Sequence, residues 1–196
     1  MQLYSLDIKV GGRMKDPSVM FSSKKQDWAT PPEFMDFLKE ELEWIPDLDA
    51  ACSPHNKKPD IGYCLEEGND GLKKPWFGHV WVNPPFGREL PLWIEKASEY
   101  AASQYDDIPL WSVMMLIPAR TDTKWFHQLL LPTCKKIFFI KGRFNYLEHG
   151  DSKASNAPFP TMLVYFGNRE FNTIYQTCAG KMDTLDVPST SRGMKR

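Results

Sequence analysis

Gly78-His79-Val80-Trp81-Val82-Asn83-Pro84-Pro85-Phe86-Gly87 is the stretch whose reading decides the fold. Val80 and Val82 are β-branched and Trp81 is aromatic, residue types that suit a strand, and the two prolines cannot donate to a ladder and so end it. A rigid loop begins where the strand stops. It presents the Asn83 amide, the prolyl carbonyls and the Phe86 ring at the carboxyl edge of a sheet, where open α/β folds place their ligands. Such a loop suits capture of a planar exocyclic amine. Asn83 Oδ1 and the Pro84 carbonyl can each accept one N–H while Phe86 stacks on the ring that carries the amine. The lone pair of an aromatic amine is delocalised, and acceptors that hold its hydrogens favour the pyramidal, nucleophilic nitrogen. Taken alone, the tetrad reads equally as a strand-ending turn, because Asn and Pro dominate turns for steric reasons.

The flanking sequence adds specific matches. Asp27-Trp28-Ala29-Thr30-Pro31-Pro32, Leu48-Asp49-Ala50-Ala51, Asn69-Asp70-Gly71-Leu72, Trp76, the Trp81 to Phe86 run and Trp93-Ile94-Glu95-Lys96-Ala97 follow one another along the chain. In that order they resemble the small phage-type DNA adenine-N6 methyltransferases, S-adenosylmethionine-dependent enzymes with an NPPF/DPPY-type catalytic loop. The resemblance runs from about Gln26 to Phe166. It implies a single Rossmann-like α/β methyltransferase domain with a mostly parallel sheet, S-adenosylmethionine as cofactor and double-stranded DNA as partner. It also implies catalytic roles for Asn83, Pro84, Pro85 and Phe86, and cofactor contacts from Trp28, Thr30, Pro31, Asp49, Ala50 and Asp70.

Upstream of the loop, Thr30 is placed to cap a helix whose first turn takes Pro31, Pro32 and the favourable charge of Glu33. Phe34, Phe37, Leu38, Leu42 and Ile45 give it an apolar face, and Pro46 ends it. Asp47 to Cys52 reads as a first strand with Asp49 near its end. No Gly-x-Gly follows, so the cofactor pocket departs from the usual glycine loop. Too little chain separates Cys52 from Val80 for two helix–strand units of some 30 residues each, which predicts reduced strands on the cofactor side. Asn69-Asp70-Gly71-Leu72 reads either as a tight turn with Gly71 at positive φ or, by the resemblance, as the place where Asp70 meets the cofactor's adenine.

Downstream, a helix is predicted from Leu92 to Ala102 with Trp93 in the core, then a buried strand from Ser112 to Pro118 ending in Ala119-Arg120. A short helix spans Thr123 to Leu131. A strand from Lys136 leads to Phe144, Asn145 and Tyr146, and Thr161 to Phe166 forms the last strand. The polar loop from Glu148 to Pro158, with Lys153, suits a lid over the target base, and Phe144 or Tyr146 could contribute to the base pocket. A short helix is read around Phe171 to Cys178. Residues 1–26 read as a flexible arm, 27–178 as the domain and 179–196 as a disordered tail.

Composition sets the outer bounds. A chain of 196 residues, 42% hydrophobic and 25% charged, fits one globular domain. No window reaches the roughly 18 apolar residues of a membrane span, and the start carries no apolar signal region, so a cytoplasmic location is expected, that of the host if the gene is phage-borne. Net charge is −1, which gives no bulk sign of nucleic-acid binding. A local basic face can still serve. The candidates are Lys135, Lys136, Lys141 and Arg143, with Arg120 and Lys153 nearby. Cys52, Cys64, Cys134 and Cys178 form no CxxC pair, so neither a disulfide nor a metal site is expected. Cytosine N4, an RNA base or a protein glutamine also offers an amine that such a loop could hold, and a non-catalytic relic of the fold is the remaining reading.

Overall fold

The computed structural model describes residues 28–54, 61–103, 111–148, 154–169, 171, 174–177 and 180–186. An eight-stranded sheet is built from β2 (Leu48–Cys52), β3 (Gly62–Cys64), β4 (Val80–Val82), β5 (Val113–Pro118), β6 (Lys136–Ile140), β9 (Thr161–Phe166), β10 (Ile174–Thr177) and β11 (Gly180–Asp186), in the order β10-β11-β6-β9-β5-β4-β2-β3. From β3 to β5 all neighbours are parallel, and from β5 to β10 all are antiparallel. Six strands therefore run in one direction, with only β9 and β11 opposed. The carboxyl ends of β2, β4, β5 and β6 share one edge. A second sheet of three strands, β1 (Trp28–Ala29), β7 (Asn145–Glu148) and β8 (Ala154–Asn156), has β7 in the middle.

Strand alternation divides the core between the two faces of the large sheet. Val80, Val82, Val113, Met115, Ile117, Val164 and Phe166 point to one face, which α2 (Leu90–Ala102) covers with Trp93, Ile94 and Ala97. Trp81, Met114, Leu116, Leu163 and Tyr165 point to the other, which α1 (Pro32–Glu40) covers with Phe34, Phe37 and Leu38. Because both faces are covered, the central strands are buried along their whole length, as β5 and β9 are. Trp93 lies in the core, as its spacing predicts.

Several local expectations are corrected. Pro31, not Thr30, occupies the cap position before α1, and it has no side-chain donor or acceptor to cap the helix. Its end comes at Glu40, ahead of Pro46; Glu43 turns the chain at φ 47°, and Ile45, expected on the apolar face, is 57% exposed. The loop expected from Glu148 to Pro158 holds β8, and Asn145 to Glu148 form the strand β7. Where a short helix was read near residues 171–178, β10 is a strand. β11 lies within the stretch read as a tail and pairs with β6 from Met182↔Ile140 to Asp186↔Lys136, so the sheet continues past residue 178. Short polar strands at a sheet margin carry little apolar alternation, which is why the sequence pattern fades there. Residues 1–26 and Lys153 lie outside the described residues. The expected reduction of the sheet after β2 is seen: among the described residues the large sheet has only β3 beyond β2, three residues long.

Candidate active site

Asn83 follows directly on β4, at the shared carboxyl edge. Its Nδ2 donates to the Trp28 carbonyl at 2.5 Å and to Thr30 Oγ1 at 3.2 Å. The Asn83 Oδ1 is buried and has no hydrogen-bond partner among the described residues. A buried, unpaired amide oxygen is costly, and in a folded protein such an atom calls for an explanation. Trp28 reaches Asn83 because β1 is stitched to β7, Trp28 opposite Glu148 and Ala29 opposite Leu147. The Trp28 to Thr30 turn, expected on the cofactor, thus grips the amide of the loop.

Phe86 is partly buried and stands edge-on to two rings, Phe159 at 5.4 Å and 88° and Tyr146 at 6.0 Å and 66°. Trp28 packs on the same two rings, at 5.9 Å from Phe159 and 5.5 Å from Tyr146. These edge-to-face contacts fix the plane of Phe86. Phe144 and Tyr146 are fully buried, so they form the wall behind Phe86 and offer no surface of their own. Burial raises the pKa of the Tyr146 phenol well above its ordinary value. The Thr161 hydroxyl stands near enough to oppose that shift, yet the two are not in hydrogen-bonding geometry and both are unpartnered among the described residues. Phe159 was missed by the sequence reading; its one signal is an aromatic ring set between Pro158 and Pro160 in a polar stretch.

On β2, beside β4, Ala50 meets Gly71, which brings the neighbours Asp49 and Asp70 to the same part of the fold. Asp49, opposite Trp81 in the β2–β4 register, is buried, and its Oδ1 accepts the Ala51 N–H at 3.1 Å. Gly71 is pressed against Ala50 and does not adopt the positive φ expected of a tight turn. Its carbonyl accepts from Trp76 Nε1 at 2.8 Å and from Lys96 Nζ at 2.9 Å. Lys96 also donates to the Leu72 and Lys74 carbonyls. Burial lowers the Lys96 pKa, and Asp70 opposes that effect. Asp70 Oδ1 accepts the Leu72 N–H and Oδ2 pairs with Lys73 at 3.0 Å. The bond to Lys73 leads the effects that hold the Asp70 carboxyl below the ordinary range.

Cys52 and Cys64 are joined in a disulfide, contrary to the expectation of free thiols. They are register partners on the parallel strands β2 and β3, with Cα atoms 4.9 Å apart. Sequence spacing gives no view of such a pairing. Cys134 is a buried free thiol whose pKa burial pushes up to about 12.

The proposed basic face divides in two. Arg120 follows β5, and Lys141 and Arg143 follow β6, so all three belong to the edge that carries Asn83; Lys141 and Arg143 are exposed. Lys135 and Lys136 do not join them. They sit at the start of β6, on the opposite edge, and Lys136 is buried with its ammonium on the Phe171 carbonyl at 2.9 Å. No helix among the described residues is long and apolar enough to cross a membrane.

Residues 18–187 match the family model for DNA N-6-adenine-methyltransferase (Dam). Two phage proteins of that name are similar in sequence. The chain is 34% identical to the one from Escherichia phage T1 over 102 residues, half of this chain and 38% of the T1 protein's length. It is 27% identical to the one from Haemophilus phage HP1 over 151 residues, 74% of this chain and 82% of that protein. No solved structure gives a significant match. With an Asn-Pro-Pro-Phe loop at the carboxyl edge of an α/β sheet and a family match over most of its length, the chain belongs to the DNA N-6-adenine-methyltransferase (Dam) family.

Proposed function

We propose that the chain moves a methyl group from S-adenosylmethionine to the N6 amine of an adenine flipped out of double-stranded DNA. The observation that carries this reading is the Asn83 Oδ1, a buried acceptor without a partner on a loop whose aromatic ring is held in a fixed plane. It fits an incoming N–H donor. The second acceptor is the Pro84 carbonyl, and with both N6 hydrogens engaged the nitrogen lone pair is drawn out of conjugation. Pro85 fixes the backbone between that carbonyl and Phe86. Phe86 stacks on the base, which must leave the duplex to reach the loop, at an unstacking cost of a few kcal/mol.

Bound S-adenosylmethionine supplies an electrophilic methyl carbon on a sulfonium that departs as a neutral thioether. The residues to hold it are Asp49, Ala50 and Asp70, brought together by the contact of Gly71 with Ala50. Asp49 suits the ammonium group and Asp70 the adenine amine. Trp28 and Thr30, bonded to the amide of Asn83, border the methyl end together with Pro31, the next residue along the chain. After transfer the extra N6 proton leaves to solvent. Arrangement in line and fixed acceptors, not a general base, supply the acceleration. Arg120, Lys141 and Arg143 take DNA phosphates on the same edge, with Lys153 as a further candidate. The site of action is the cytoplasm, that of the host for a phage gene.

The test is a nucleoside assay by mass spectrometry with purified protein, unmethylated duplex DNA and labelled S-adenosylmethionine. Label in N6-methyladenine, abolished in Asn83→Ala, is the expected result. Label in N4-methylcytosine, in RNA or in protein glutamine would replace the acceptor, and no label with no cofactor binding would leave a non-catalytic relic of the fold that binds DNA or a protein partner.

A further inference from the structure

We infer that Thr30 is a positioning residue for the reaction: its hydroxyl, with the Trp28 carbonyl, fixes which end of the Asn83 amide faces the substrate. The inference rests on the catalytic reading of Asn83 given above. An amide has two ends of nearly identical shape and opposite function, and only the oxygen can accept an N6 hydrogen. Rotation of the amide by half a turn would present NH2 to NH2 and leave the amine without its acceptor.

The two contacts make that rotation unfavourable. A backbone carbonyl has no proton to give, so the Trp28 oxygen at 2.5 Å can face only the Nδ2 end of the amide. Thr30 Oγ1, at 3.2 Å from the same nitrogen, takes its second hydrogen. With both hydrogens of Nδ2 engaged, Oδ1 points away from them into the buried position where no described residue partners it. A rotated amide would set Oδ1 against the Trp28 carbonyl, oxygen to oxygen. Thr30 is 2% exposed, so water is poorly placed to replace its hydroxyl.

This also explains a residue that helix capping does not. Thr30 precedes Pro31-Pro32 at the start of α1, but the cap position belongs to Pro31. Its hydroxyl instead reaches across 53 residues of sequence. The small sheet contributes to the same end: pairing of β1 with β7 holds Trp28 and Ala29, and through them the start of the turn that carries Thr30.

The experiment compares Thr30→Val, Thr30→Ser and Asn83→Ala in steady-state methylation of duplex DNA. S-adenosylmethionine affinity is measured by calorimetry, and a thermal melt is recorded for every variant. Thr30→Val keeps the shape and removes the acceptor. Its expected effect is a loss of about tenfold in kcat at saturating S-adenosylmethionine, the scale of one hydrogen bond, with the KM for DNA unchanged, and Thr30→Ser restores most of the rate. A Thr30→Val enzyme with the parent kcat, beside an inactive Asn83→Ala, would overturn the positioning role alone. A loss that vanishes at saturating S-adenosylmethionine would overturn it too, by leaving Thr30 a cofactor contact and nothing more. Activity in Asn83→Ala would instead remove the catalytic reading on which it rests. Should Thr30→Val not fold, Asn83→Asp asks the same question from the other side. It places a carboxylate oxygen against the Trp28 carbonyl, so an activity equal to the parent would overturn the inference and a loss of about tenfold or more would support it.

Discussion

Gly71 and Ala50 approach so closely that a side chain between them has no room: a Cβ built on Gly71 stands 1.8 Å from the Ala50 carbonyl oxygen and 3.0 Å from the Trp93 ring. The contact joins the Asp70 loop to the strand that carries Asp49, and those two carboxylates are the candidate cofactor ligands. Because the obstacle is backbone, Gly71→Ala must displace the loop. The expected outcome is a rise of about tenfold or more in the Kd for S-adenosylmethionine, with a stability loss of about 1–3 kcal/mol. Gly68→Ala is the control, since Gly68 has a positive φ but nothing within 4 Å of its Cβ. It should cost about 1 kcal/mol from backbone strain and leave the Kd alone. An equal Kd in the two variants would separate the loop contact from cofactor binding.

Phe159 holds Phe86 edge-on at 5.4 Å and also packs on Trp28. Phe159→Ala frees the ring that is to stack on the flipped base, without touching either acceptor. Base–aromatic stacking is worth about 1–3 kcal/mol. Phe86→Ala should therefore lower kcat/KM for DNA by about tenfold to a hundredfold, and Phe159→Ala by a smaller factor in the same parameter. If Phe159→Ala changed only the melting temperature, the ring would be a packing residue and nothing more.

Much of this organisation was legible because it rests on periodicity. Phe34, Phe37 and Leu38 mark the buried face of α1, and the unbroken apolar runs at Val113 and Thr161 mark strands covered on both faces. The loop at Asn83 was legible for a different reason, since two prolines after a β-branched run must end a strand. What stayed hidden depends on contacts across the sequence. A hydroxyl before two prolines looks like a helix cap, and nothing local says that Thr30 bonds Asn83 instead. Cys52 and Cys64 meet only through the β2–β3 register. Lys136 has the composition of a DNA contact, yet the length of β6 carries it to the far edge, where it is buried on Phe171. Gly71 was rightly marked as a constrained position, but the constraint is a neighbour and not its own φ.

The Cys52–Cys64 bond closes a loop with a sequence separation of 12, for which chain entropy gives a stabilisation of about 3 kcal/mol. Reduction should lower the melting temperature while the sheet persists, because its core of Val80, Val113 and Val164 lies elsewhere. Melts with and without a thiol-free reductant, and of a Cys52→Ala, Cys64→Ala double variant, test this. Coincident melts for the oxidised and reduced protein, with all four cysteines of the chain labelled in the unfolded state of both, would mean that the bond is absent in solution.

Lys141 and Arg143 are exposed beyond β6 on the edge that carries Asn83, whereas Lys135 lies at the strand's other end. If the first pair meets DNA phosphates, each contact releases condensed counterions and contributes about 0.9 to the slope of log K against log salt. A Lys141→Gln, Arg143→Gln double variant should lose affinity for all duplex sequences alike and lower that slope by nearly 2. Methylation at saturating DNA should be spared, because neither side chain belongs to the loop at Asn83. Lys135→Gln is the internal reference and should leave the slope unchanged. The reverse pattern, with the slope falling for Lys135→Gln alone, would move the DNA to the opposite edge of the sheet. That result would also be hard to reconcile with a base delivered to Asn83, since the flipped nucleotide stays tethered to its own backbone and can reach only the edge on which that backbone lies.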